Sequence, residues 1–370
     1  MIETSVVTGT GSYLPSKVLE TSEFPEQLRV PERVAAKIGV NKRRQSYSPQ
    51  GFECRDEDMG YLAAMLALEA AELEPKYLNR IVVISATPTR LFTPLKEEAA
   101  ISLAGAVDQE EFDSLGLNDG YGSSPAHILA SRLGVSRDCW ASYHFEGCGS
   151  LVWGLDEVHR MREIFRRTLI VASNTSSSFF YSINPASLDE NDRLNANIFG
   201  DGAAALVVQT WPVVDGMERG IVSSQGDFDF SDSPVSTTVV DHWNPNESYP
   251  GQFKFHVEHR KVLKSAPAYM QGTMERILSE SGFTLKDVDH FIVHQASMAT
   301  LEALLKLARI PREKVPINVD KYGNTSAAST GIILDEGIRS GRIKKGDLAM
   351  VLGAGGGFPG WQYGGVLLRV

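Results

Sequence analysis

A duplicated α/β fold with an insertion in its first half is what this sequence predicts. Short apolar, β-branched runs alternate with helical patterns along the chain. The order strand, strand, turn, helix, strand occurs twice. At 370 residues, the chain exceeds one ordinary core and suits two domains or one duplicated unit.

In the first half, strands are expected at 5–8, 80–85, 139–145, 168–172 and 203–209, with helices at 58–72, 124–133 and 151–164. The helical pattern at 59–73 carries Leu62, Met65, Leu66 and Leu73 on one stripe, interrupted by Glu69. In the second half, strands are expected at 220–225, 290–294, 315–319, 348–352 and 364–368, with helices at 266–280, 298–307 and 328–340. Cys148 and Asn324 then occupy corresponding places, each opening its half's equivalent helix. The break at 211–216 (Trp-Pro-Val-Val-Asp-Gly) divides the chain into an N-terminal half, 1–212, and a C-terminal half, 213–370. Two stretches stand outside the repeat. Residues 90–122 are too long for a plain connection and read as an acidic insertion or lid. Residues 227–253, rich in Asp, Ser, Pro and Asn, read as a surface excursion.

Composition narrows the function. Lys plus Arg is 36 against 46 Asp plus Glu, a formal charge of −10, which argues against a nucleic-acid binder. No apolar run reaches the roughly 18 residues of a membrane span. Residues 1–15 lack a secretory pattern, so a cytoplasmic setting is expected. Three cysteines, Cys54, Cys139 and Cys148, are too few and too irregular for a disulfide framework or a structural zinc site.

Four features can carry chemistry. Cys148 lies in Glu146-Gly147-Cys148-Gly149-Ser150, after a strand and before a helix, where the helix dipole lowers a thiol pKa. Its alternative is a small buried hydrophobe. His294 ends an apolar strand, where open α/β sheets bind ligands, and serves either a proton or the core. Asn324, in Gly323-Asn324-Thr325-Ser326, reads by itself as an N-cap. The run Gly353-Ala354-Gly355-Gly356-Gly357 is a tight turn or an oxyanion-binding loop; it lacks the Lys-Ser/Thr of a phosphate loop. His256-Val257-Glu258-His259 has no third metal ligand and reads as an exposed helix face.

Taken together, in this order and spacing, these features resemble the thiolase superfamily, and within it the 3-oxoacyl-(acyl carrier protein) synthase III (ketosynthase III) enzymes. Gly9–Pro15, Ile38–Arg44 and the Phe199-Gly200-Asp201-Gly202 turn resemble further family motifs, so the likeness covers nearly the whole chain. It implies a thiolase fold with a five-layer αβαβα core and a homodimer. It implies a Cys-His-Asn triad of Cys148, His294 and Asn324, with the backbone N–H groups of Cys148 and Gly356 as oxyanion hole. Arg33, Lys37, Arg43 and Arg44 fall in the thioester- and pantetheine-binding region. No cofactor is implied, since coenzyme A or acyl-carrier-protein thioesters supply the activation.

The expected reaction is acylation of Cys148, then decarboxylative Claisen condensation with a malonyl-type thioester. The alternative is an O-acyltransferase that moves the acyl group to a hydroxyl. Several positions depart from the fatty-acid enzymes. Glu146, a possible active-site carboxylate, precedes the nucleophile by two residues. Ser297 and Ala299 replace the asparagine and the carrier-docking arginine, leaving Lys306, Arg309, Arg312 and Lys314 as a basic face. Arg33 stands for a tryptophan and Ala354 for a phenylalanine. These departures point to a specialised pathway such as polyketide or other secondary metabolism.

Overall fold

The computed structural model describes residues 3–48, 51–87, 124–178, 188–213, 219–231, 235–243, 251–357 and 360–370. The insertion expected at 90–122 lies outside the described residues. Five strands build the first sheet: β1 (Glu3–Tyr13), β2 (Arg80–Ser85), β3 (Trp140–His144), β4 (Arg167–Asn174) and β5 (Gly202–Pro212). Their order is β1-β5-β4-β2-β3, with β2, β3 and β4 parallel and β5 antiparallel to both neighbours. The chain continues through β6 (Gly220–Asp229) and a hairpin of β7 (Ser236–Trp243) and β8 (Gly251–Val257). It ends with β9 (His290–Val293), β10 (Leu348–Gly356) and β11 (Trp361–Arg369). The second sheet has the order β6-β11-β10-β9.

Among the described residues, eight principal helices flank these sheets: α1 (Glu32–Ile38), α2 (Asp56–Ala70), α3 (Pro125–Leu133), α4 (Ser150–Arg160), α5 (Glu190–Ile198), α6 (His259–Ser281), α7 (Met298–Ala308) and α8 (Ser329–Arg339). β2 shows how the layers form. Ile81 and Val83 pack on Met59, Ala63 and Ala67 of α2, while Val82 and Ile84 pack on Leu151 and Leu155 of α4. A strand covered on both faces needs a continuous apolar run rather than alternation. On the far side, Ile277 of α6 and Leu304 of α7 cover Phe291 and Leu352. The layers therefore run α2/α3, first sheet, α4/α8, second sheet, α6/α7.

The two central helices repeat one another. Each has an aspartate at its seventh position and an arginine four residues later: Asp156 with Arg160 (2.7 Å) and Asp335 with Arg339 (2.9 Å). Asp156 accepts from Ser224 of the second sheet at 2.8 Å, and Asp335 from Thr10 and Ser12 of the first at 2.7 and 2.6 Å. Each helix is thus tied across to the other half's sheet. Satisfied bonds of this kind offset the cost of burying a carboxylate.

Two local expectations are corrected. Residues 315–319 are not a strand: Pro316 has no N–H to donate, and the Asn318 and Val319 N–H groups donate to Gln295 Oε1, both at 3.1 Å. The excursion at 227–253 carries the end of β6 and much of the β7–β8 hairpin.

Candidate active site

The C-terminal ends of the parallel strands converge on one cavity of about 730 Å³, which Cys148, His294 and Asn324 all line. Cys148 occupies the turn between β3 and α4. The glycine run at the end of β10 lies directly on that turn. A Cβ at Gly355 would stand 2.7 Å from the backbone nitrogens of both Cys148 and Gly149, so only glycine permits the approach. Gly356, the other expected oxyanion donor, follows on the same strand, and its carbonyl accepts from Ser236 Oγ at 2.8 Å.

Asn324 is held at both ends of its backbone. Its N–H donates to Ile198 O (2.8 Å), and its carbonyl accepts from Gly200 N–H (3.0 Å). The Phe-Gly-Asp-Gly turn thus serves as the bed for the asparagine loop. The Asn324 Oδ1 accepts from the Ser326 N–H at 2.8 Å, which turns the amide nitrogen towards Cys148 Sγ at 3.7 Å. Ser326, which the sequence reading missed, has a positive φ of 52° and places its hydroxyl 3.7 Å from the same sulfur. A strained backbone at such a point is a mark of a functional site.

His294 follows β9, and its backbone N–H donates to Leu352 O at 2.8 Å. Its ring is 2% exposed, and neither ring nitrogen has a hydrogen-bond partner among the described residues. Burial pushes its pKa down to about 4, so at neutral pH it is an uncharged imidazole with one N–H to offer. Gln295, also missed, joins the histidine and asparagine segments. Its Nε2 donates to Pro316 O at 2.7 Å while its Oε1 accepts from Asn318 and Val319.

The Cys148 thiol departs from the expectation of a lowered pKa. Burial pushes it up, against the hydrogen bonds from Ser326 and Asn324 that pull it down. The apolar cavity outweighs the helix start. Glu146 lines the same cavity, with its carboxyl also pushed up by burial and its Oε2 accepting from Gln362 Nε2.

The remaining candidates scatter. Lys37 lines the cavity, and Arg33 is exposed one turn earlier on α1. Arg43 does not reach a thioester surface. It is 1% exposed, donates to Ala196 O and Thr21 Oγ1, and stacks on Phe24 at 4.3 Å. Arg44 is half-buried and donates to the Pro15 and Ser16 carbonyls, both at 3.1 Å. On the basic face, Arg312 pairs with Glu302 and Lys314 donates to the Val288 and Lys286 carbonyls. The exposed helix face expected at 256–259 is also corrected. His256 and Val257 end β8, and His259 enters the cavity wall, bonded to Asn195 Oδ1 at 2.9 Å.

Comparison with known proteins follows this geometry. Residues 278–370 match the family described as 3-oxoacyl-[acyl-carrier-protein] synthase III C terminal. A β-ketoacyl-[acyl-carrier-protein] synthase III of Alkalilimnicola ehrlichii is 29% identical over 371 residues, covering 98% of each chain. The crystal structure of 3-oxoacyl-[acyl-carrier-protein] synthase III from Aquifex aeolicus superposes with a TM-score of 0.74 and 26% identity, over 99% of this chain and 100% of that one. Over nearly its whole length the chain is similar to 3-oxoacyl-[acyl-carrier-protein] synthase III (ketosynthase III) enzymes. Its fold is the thiolase fold, and it is an acyltransferase of the β-ketoacyl synthase III type. A tetronic acid condensing enzyme shares the fold with a TM-score of 0.76 at 18% identity, over 99% of this chain and 100% of that one. Among the described residues, no helix is long and apolar enough to cross a membrane.

Proposed function

We propose that this protein is a ketosynthase III that loads an acyl group onto Cys148 and condenses it with a malonyl-type thioester, with loss of carbon dioxide. The observation that carries the reading is the meeting in one cavity of the Cys148 thiol, the Asn324 amide 3.7 Å away and the buried, neutral His294. In the first half-reaction, Cys148 sulfur attacks the acyl carbonyl. The coenzyme A or carrier thiol leaves and takes up the proton that the cysteine gives up. The Cys148 and Gly356 N–H groups are the donors for the oxyanion.

In the second half-reaction, His294 and Asn324 donate to the malonyl thioester carbonyl. The carboxylate leaves as carbon dioxide, and its bonding electrons form the enolate held by those donors. The enolate carbon attacks the acyl-Cys148 carbonyl, and the tetrahedral intermediate expels the Cys148 thiolate, giving a 3-oxoacyl thioester. A neutral His294 suits this role, because a neutral imidazole N–H is too weak an acid to give up its proton and so stabilises the enolate oxygen by hydrogen bonding alone.

The reading places the enzyme in a specialised pathway, on the strength of Ser297, Ala299 and Ala354. Ser297 caps α7, accepting from Thr300 N–H at 3.2 Å, and lines the cavity together with Ala299. Lys37 is the cation best placed for the pantetheine thioester. The proposal includes a homodimer, for which the edge strand β3 offers Trp140, 62% exposed. The test is to incubate the protein with acyl and malonyl thioesters and measure products by mass. A 3-oxoacyl product with equimolar carbon dioxide supports condensation. An ester product without carbon dioxide would replace it with O-acyl transfer.

A further inference from the structure

The wall that the first sheet contributes to the cavity is unusually polar for a pocket that receives a hydrocarbon chain. It comes from the C-terminal ends of β2, β3 and β4 and consists of Ala86, Thr87, Phe145, Glu146, Asn174 and Ser176. Four of those six carry polar side chains. Three of them, Thr87, Asn174 and Ser176, are joined through hydrogen bonds. Thr87 Oγ1 accepts from the Thr175 N–H at 2.6 Å, and Asn174 Nδ2 donates to Ser176 Oγ at 2.7 Å and to Gly200 O at 3.0 Å. Behind Thr87 lies Asp56, 1% exposed, with its Oδ1 3.4 Å from Thr87 Oγ1 and 3.3 Å from Thr175 Oγ1.

Thr87 and Ser176 both line the cavity, and their hydroxyls are incompletely bonded within the wall. Ser176 Oγ accepts from Asn174 and donates to no described group. Thr87 reaches its two possible acceptors, Asp56 Oδ1 and Asn174 Oδ1, only at 3.4 Å each, long for hydroxyl hydrogen bonds. An alkyl chain laid on such a wall would strip these groups of water and return nothing, at about 1–3 kcal/mol for each group left unpaired. A chain bearing a hydroxyl would restore the lost bonds. The asymmetry is that of sites built to bond a substrate hydroxyl, which reject the analogue lacking it.

We propose that the acyl group carried on Cys148 is hydroxylated, and that Thr87 and Ser176 at the ends of β2 and β4 select it over the plain alkyl chain of equal length. The inference rests on the proposed acylation of Cys148 and names the substrate class of that same site.

The test compares 3-hydroxybutyryl-coenzyme A with butyryl-coenzyme A, measuring the rate at which each adds mass to Cys148 in the full chain. The hydroxylated donor is expected to load about tenfold faster, the equivalent of one good hydrogen bond. Thr87→Val and Ser176→Ala should each cut hydroxybutyryl loading several-fold while leaving butyryl loading equal or faster. A purely structural role would slow both donors alike. Equal or faster loading of butyryl by the parent protein overturns the inference alone, as does a uniform loss in both variants. If neither donor nor any other acyl thioester adds mass to Cys148, the functional reading falls and takes this one with it.

Discussion

Replacing His294 by leucine is expected to stabilise the folded chain while ending condensation. Both ring nitrogens are buried without a partner among the described residues, and each unsatisfied buried group of this kind costs about 1–3 kcal/mol. Leucine removes both and keeps most of the apolar contact, and its misfit of shape costs about 1 kcal/mol. The net expectation is a gain of about 1 kcal/mol or more at pH 7, read as a rise in Tm of at least about 1 °C for a chain of this length.

The acid limb gives a second, independent reading. Burial lowers His294 to about 4, whereas an exposed histidine titrates near 6.5. Between those values the unfolded chain binds a proton that the folded chain refuses. The parent therefore loses up to about 1.4 kcal/mol per pH unit from this residue as pH falls through the window. The variant lacks that loss. His159 and His259, also lowered to about 4 by burial, remain in both proteins and cancel in the comparison. Urea unfolding followed by tryptophan fluorescence at pH 7 and pH 5 measures both effects. The stability gap should widen by about 2 kcal/mol on acidification. A variant less stable than the parent at pH 7, or a gap indifferent to pH, would refute the picture of a bare neutral imidazole.

Three further outcomes are expected. Asn324→Ala should still take an acyl group on Cys148 but release carbon dioxide from the malonyl thioester about 10²–10³-fold more slowly; unchanged release would remove Asn324 from the enolate site. Asp56 is pushed up to about 8 by burial, so the folded chain holds a proton that the unfolded chain loses above about pH 4. Asp56→Asn should therefore gain stability over the parent progressively from pH 4 to pH 8 in urea titrations, and parallel curves would contradict the assigned burial. Gly355→Ala places a Cβ against the backbone nitrogens of Cys148 and Gly149, neither of which can rotate away. A loss of about 2 kcal/mol or more in thermal unfolding is expected, together with slowed acylation; parental values for both would mean the glycine loop lies elsewhere.

Much of the scaffold was legible because local physics writes it. The run Arg-Ile-Val-Val-Ile-Ser at 80–85 announces a strand buried on both faces, and the structure starts and ends it at those residues. The helix at 298–307 ends one residue later than expected, with Arg309 in the left-handed conformation closing it. Cys148 between glycines, after a strand and before a helix, pointed to a turn that exposes a side chain to a cleft. What was not legible involves partners distant in the chain. Residues 315–319 look like a strand by composition, yet Gln295, more than twenty residues earlier, takes their backbone N–H groups. His259 looks like a surface residue until Asn195, 64 residues away, draws it into the cavity wall.

The sequence by itself determined the alternation of elements and the residue types at three positions that line one cavity, Cys148, His294 and Asn324. Those depend on period, glycine placement and short-range turn chemistry. Only the tertiary structure decided which charges are consumed, which groups face the cavity and in which direction each titratable group moves. Arg43 falls in the region that the resemblance assigns to thioester binding, but Ala196, 153 residues on, accepts its guanidinium in the interior. Cys148 reads as an activated thiol at a helix start, but the apolar cavity around it raises its pKa. Desolvation depends on everything that surrounds a group in space, and Asn324 and Ser326, which approach the Cys148 sulfur, lie 176 and 178 residues away along the chain.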